Sequence, residues 1–203
     1  MSTAHGEQVR ILEEHGQETG RGLNWWGMVF FIASEALIFA NLIAAFLYLE
    51  IRNGGVGWAL PFSPIPFVAT VILLSSSFFV HMAGSGIRKG NRRNLIIGLT
   101  GTIILGAIFL GCQAYEYTNL IVNEHTTISS SIFGSAFYTL TGFHGLHVTI
   151  GAIFLLVVLV RSLRGHFTKE NHFAVEAAEM YWHFVDVVWV FVFTPVYLVP
   201  LFR

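Results

Sequence analysis

Five apolar stretches, each long enough to cross a lipid bilayer, constrain this chain more than any other feature. They run from about Trp25 to Leu49, Pro66 to Gly86, Leu95 to Tyr117, Phe133 to Val160 and Met180 to Leu201. A hydrocarbon core about 30 Å thick takes about 20 residues of helix. Backbone in lipid must satisfy its own hydrogen bonds, and none of the stretches alternates as a barrel strand would. The expected fold is therefore all-α: an integral membrane bundle of five transmembrane helices over residues 25–203, preceded by a polar arm over residues 1–24. Composition agrees. Only 11% of the 203 residues are charged while 54% are hydrophobic, against roughly 25% charged in soluble domains.

The arm carries His5, Glu7, Glu13, Glu14, His15 and Glu18. A secretory signal has a basic start and an apolar core, so this segment reads as a polar extension outside the membrane. A net charge of −1 gives no electrostatic footprint for nucleic acid. The single cysteine, Cys112, sits in an apolar run and reads as a small packing residue.

The basic residues fall unevenly between the connections. Arg10, Arg21, Arg88, Lys89, Arg92, Arg93, Arg161, Arg164 and Lys169 lie on the N-terminal side of the helices, and only Arg52 and Arg203 on the other. The positive-inside rule then places the N-terminus in the cytoplasm and the C-terminus outside. Arg88, Lys89, Arg92 and Arg93 are also candidates for lipid-headgroup contact. Trp25 and Trp26 at one edge, with Tyr48 and Trp58 at the other, suit interfacial belts. Small residues four apart mark two close-packing faces, Ala36–Ala40–Ala44 and Gly98–Thr102–Gly106.

Polar groups at membrane depth are costly and normally have a function or a partner. Glu35 lies in the middle of the first helix, where loss of hydration favours the neutral acid unless a cation is near. It suits a proton relay, a ligand, or a hydrogen bond to another helix. His144 and His147, in GFHGLHV, share one face of the fourth helix. They could bind a metal or donate to neighbouring carbonyls. Glu179, His183 and Asp186 share a face of the last helix, with Trp182 and Trp189 on an adjacent stripe. Such a stripe lines a water path, holds a headgroup, locks onto a partner, or completes a metal site with His144 and His147. Glu116, near the outer interface, is expected to be hydrated. Depth suggests a contact between Glu35 and His183, provided the last helix starts near Glu176.

The pair FHGLHV and WHFVDVVW, in this order on consecutive helices, closely resembles subunit III of haem-copper oxidases, the cytochrome c oxidase subunit III family. FIASEALIF and QAYEY match as well, so the resemblance covers nearly all of the chain after Leu23. It implies a subunit without haem or copper, those cofactors residing in partner subunits. Such a subunit packs beside subunit I, holds phospholipid, and serves a proton-pumping oxidase of aerobic electron transport. By motif, Glu35 matches the family's mid-membrane carboxyl that reacts with hydrophobic carbodiimides. His144, His147, Glu179, His183 and Asp186 match its polar positions on the last two helices. The sequence has no counterpart of the two helices that precede this glutamate in many relatives, as in five-helix bacterial forms. The resemblance further implies subunits I and II and a small subunit IV as partners, membrane lipid, and a bacterial plasma membrane. The electron donor is cytochrome c, or quinol in the alternative branch. A more distant alternative is a stand-alone di-metal oxygenase with Glu179, His183, His144 and His147 as ligands.

Overall fold

The computed structural model describes residues 22–54, 58, 60 and 62–202. Residues 1–21 of the N-terminal arm, Arg10 and Arg21 among them, and Arg203 lie outside the described residues, while Leu23 and Asn24 already belong to the first helix. Five long helices make up the bundle, with no strand among the described residues. We label them α1 (Leu23–Arg52), α2 (Ile65–Arg88), α3 (Arg92–Val122), α4 (Ile132–Leu163) and α5 (Phe173–Phe193). The last continues through a π-helical turn at Thr194–Leu198 and a 3-10 turn at Val199–Phe202. Pro195 lacks the N–H that an α-ladder needs at this point, which accounts for the change of winding.

The helices outrun the apolar stretches. The first, third and fourth have 30, 31 and 32 residues, or about 45–48 Å at the helical rise, more than a hydrocarbon core requires. Hence Arg88 closes α2, Arg92 opens α3 and Arg161 sits in the last turn of α4, rather than in loops. The turn between α2 and α3 is only Lys89–Asn91. Gly90, at φ +72°, makes that reversal, a backbone region that costs a side-chain-bearing residue. Asn91 then caps α3 by accepting from the Asn94 amide at 3.2 Å, and Ser131 caps α4 through the Gly134 amide at 2.9 Å, each satisfying an otherwise free donor.

The last helix starts at Phe173, seven residues before the apolar stretch does. Its first two turns carry Glu176 and Glu179, so hydropathy hides them. Glu176 pairs with His172 at 3.3 Å, and α5 is helical well outside the lipid-like part of the sequence.

α2 and α3 pack most tightly. A Cβ on Gly98 would stand 2.6 Å from the Ala83 amide nitrogen, and one on Gly106 would stand 2.7 Å from the Trp182 ring. The small face Gly98–Thr102–Gly106 is thus a true close contact, with Thr102 wholly buried. The Ala36–Ala40–Ala44 face is different. It lines an open apolar groove of about 460 Å³ against Phe184, Val188 and Phe191 of α5. Trp58 does not join an interfacial belt: it is buried, with its ring 5.6 Å from Phe46 and 5.5 Å from Phe133. Cys112 packs partly buried against the core.

Candidate functional site

Two polar assemblies inside the bundle join α1 to α4 and α2 to α5. The first joins α1 to α4 at mid-membrane. Glu35 is 12 residues into α1, or about 18 Å along its axis, and its Oε2 lies 3.1 Å from His147 Nε2. His147 Nδ1 is 2.8 Å from the Phe143 carbonyl. A carbonyl only accepts, so Nδ1 carries the proton. Nε2 then accepts from a protonated Glu35, or donates to its carboxylate if the ring is cationic. Phe39 and Phe143 enclose the ring, at 4.9 and 4.7 Å between centroids.

The expected Glu35–His183 contact is therefore incorrect. An imidazole does satisfy the acid, but it comes from α4. His183 lies on the face of α5 turned to α2, where its Nδ1 is 3.3 Å from Ser77 Oγ. Depth along a helix does not say which face meets which neighbour.

His144, one turn before His147, is fully buried and has no hydrogen-bond partner among the described residues. It lies 4.7 Å from the Trp189 ring and 5.9 Å from Phe109, and donates to no carbonyl. Its role here is aromatic packing.

The second assembly is a ladder between α2 and α5. Ser77, His81, Gly84 and Arg88 follow at spacings of four, three and four, which places them on one face of α2. Opposite stand Glu179, His183 and Asp186 of the antiparallel α5. Arg88 donates to Glu179 Oε2 at 3.0 Å, and His81 Nδ1 meets Glu179 Oε1 at 3.1 Å. Ser77 donates to Asp186 Oδ2, and its oxygen takes the contact from His183. Gly84 leaves the space that the Glu179 carboxylate fills. Two tryptophans beside the ladder are tied to α2 as well: Trp182 Nε1 donates to Ser76 at 2.8 Å and Trp189 Nε1 to Thr70 at 2.9 Å.

Of the basic cluster, Arg88 is engaged by Glu179, and Arg92 reaches the Leu163 carbonyl at 2.7 Å. Lys89 and Arg93 are exposed. Glu116 is buried, not hydrated as expected, and accepts from Tyr197 at 3.0 Å. The π-helical turn that follows α5 holds that tyrosine over the α3 carboxyl. The ligand set of a di-metal oxygenase does not assemble. His147 is spent on Glu35, His144 lies among aromatic rings, and neither joins Glu179 and His183.

The sequence reading missed His81 and Ser77. Their signal was available: a polar face on α2 at spacing 4–3–4 that repeats the 4–3 spacing of Glu179, His183 and Asp186.

The fold and these contacts define a polytopic helical membrane protein whose deep acids Glu35, Asp186 and Glu116 are paired between its own helices. Comparison with known proteins makes this specific. The family model for cytochrome c oxidase subunit III matches residues 6–200. The chain is 42% identical to cytochrome c oxidase subunit 3 of Synechocystis over 192 residues, 92% of this chain and 80% of that protein. With the Drosophila melanogaster protein of the same name, identity is 43% over 181 residues, covering 85% and 68%. For that of Mammuthus primigenius it is 41% over 204 residues, covering 96% and 74%. The chain belongs to the cytochrome c oxidase subunit III family.

Proposed function

We propose that the chain is the non-catalytic subunit III of a proton-pumping cytochrome c oxidase in a bacterial plasma membrane. In this reading it stabilises subunit I and binds phospholipid, while haem and copper reside in subunits I and II. A small subunit IV completes the assembly.

One observation carries the reading. The acids at membrane depth are engaged within the bundle, Glu35 with His147, Asp186 with Ser77 and, nearer the outer end, Glu116 with Tyr197. The deep polar inventory serves helix–helix contacts. The outer surface is apolar and largely uncovered along α1, whose buried residues are Phe39, Phe46 and Glu50. That is the surface expected of a subunit that lies against another membrane protein and lipid. Lys89 and Arg93, exposed and without a side-chain partner among the described residues, are the better candidates for anionic headgroups, at about 1 kcal/mol each.

Cytochrome c is the donor in this proposal, in keeping with the names of the matched relatives. The test is to strip the chain from the purified oxidase. The haem spectrum and initial turnover should persist, while working lifetime or proton uptake declines. Loss of haem or copper in proportion to the chain would overturn the assignment. Copper-binding cysteines in the co-purified subunit II would support cytochrome c as donor, and their absence would favour quinol.

A further inference from the structure

The α2–α5 ladder ends in a crevice of about 740 Å³ at the basic end of the bundle, bounded on its third side by Asn24 and Trp25 at the start of α1. His81, Glu179 and His183 converge on it. Each offers a ligand atom, and these atoms lie within 4.8 Å of one another. We propose that these three residues form a binding site for a divalent transition-metal ion, with Zn2+ as the natural occupant.

The donor set is two imidazoles and one carboxylate, a mixed nitrogen and oxygen set that suits Zn2+ and disfavours Mg2+ and Ca2+, which take oxygen ligands. One edge of the three already has the length a tetrahedral ion needs. Ligands about 2.0–2.1 Å from zinc stand roughly 3.3 Å apart, and His81 Nδ1 and Glu179 Oε1 already stand 3.1 Å apart. Three protein ligands at the edge of an open crevice leave the fourth position to water.

The surroundings orient the ligands. Ser77 has one hydroxyl proton and gives it to Asp186. Its contact with His183 therefore runs the other way, with His183 Nδ1–H donating at 3.3 Å, and Nε2 keeps its lone pair. A metal-bound histidine commonly has its other ring nitrogen fixed in this way. Arg88 holds Glu179 by Oε2 at 3.0 Å and leaves Oε1 on the His81 side. Gly84 matters here too, because any side chain there would collide with the Glu179 carboxylate.

A phosphate group is the other occupant that one arginine and two histidines suggest. Glu179 stands against it. Its carboxylate occupies the same crevice and already neutralises Arg88, so an entering anion would find no unbalanced positive charge to bind. A cation meets the lone pairs and the carboxylate instead.

The site rests on these residues and not on the oxidase assignment. The test uses the full-length chain, purified in detergent with whatever subunits accompany it. Metal is first removed with a chelator, and 65Zn2+ binding is then followed by equilibrium dialysis. The chain should take up one equivalent that His81→Gln and His183→Gln each weaken about tenfold or more. Ser77→Ala should weaken it by less. His81 is exposed (65% of its side chain), so its replacement leaves the fold intact. His166→Gln, at an exposed histidine elsewhere, should leave binding within about twofold. Equal Zn2+ uptake by the wild type and both histidine variants would overturn the proposal, as would an equal loss in His166→Gln. Binding of inorganic phosphate that His81→Gln abolishes, with Zn2+ uptake unchanged, would reassign the crevice to an anion.

Discussion

Glu35 of α1 and His147 of α4 meet at 3.1 Å in the middle of the membrane, and their contact is a polar tie between the first and fourth helices. It follows from two hydrogen-bond constraints. The Phe143 carbonyl fixes the proton on His147 Nδ1, and Glu35, with its side chain 19% exposed, reaches Nε2. Removing either partner leaves the other buried and unsatisfied.

Glu35→Gln should keep the tie, because an amide N–H can donate to Nε2. Glu35→Ala and His147→Ala should each cost about 1–3 kcal/mol, the penalty of an orphaned buried polar group. Thermal unfolding in detergent separates the cases. Both Glu35 variants should also lose the reaction with hydrophobic carbodiimide that the family resemblance assigns to this carboxyl. A Glu35→Gln protein as unstable as Glu35→Ala would refute the hydrogen-bond account.

The number and type of elements were legible in the sequence because apolar length reports directly on a bilayer. Two things were not legible. The start of α5 was hidden because Glu176 and Glu179 break the apolar run, although both lie on helix and Glu179 is buried. The partner of Glu35 was hidden because pairing depends on how α1 is rotated against α4 and α5. Hydropathy fixes the depth of a residue and leaves that rotation open. The same limit explains Glu116, which stands near an end of the lipid-like sequence yet is covered by Tyr197 from a turn beyond Pro195.

Glycine substitutions should divide sharply along α3. At Gly98 an added Cβ meets backbone of α2, the Ala83 nitrogen at 2.6 Å, and neither helix can give way by a side-chain rotation. At Gly111 nothing lies within 4 Å of the same added atom. Gly98→Ala should therefore destabilise by about 1–3 kcal/mol, the usual cost of overpacking, whereas Gly111→Ala should be neutral or slightly stabilising through its helix propensity. Parallel melts of the two single variants decide the matter.

Trp182 is the largest side chain in the core without exposed surface. It fills the space left by Gly106 and Gly151 and donates to Ser76 at 2.8 Å. Trp182→Phe loses the bond and part of the volume, at about 1–2 kcal/mol. Trp182→Ala leaves a cavity between α2, α3 and α4 and should cost about 3–5 kcal/mol. A loss in Trp182→Ala no greater than in Ser76→Ala would mean that the bond, and not the packing, holds the tryptophan.

Orientation in the membrane is the last prediction, and it rests on charge alone. The turn Lys89–Asn91 and the connection from Arg164 to His172 emerge at the same end of the bundle, which Arg92 ties together through the Leu163 carbonyl. Positive residues near helix ends resist translocation, so this end should face the cytoplasm. With Cys112→Ser as background, Lys89→Cys and Thr168→Cys should react with a membrane-impermeant maleimide only in inverted vesicles. Asn123→Cys, in the segment after α3 at the opposite end, should react only in right-side-out vesicles. These sites are exposed, so silence from one side reports the membrane and not burial. The reverse labelling pattern would invert the bundle and move the His81–Glu179–His183 crevice to the outer surface.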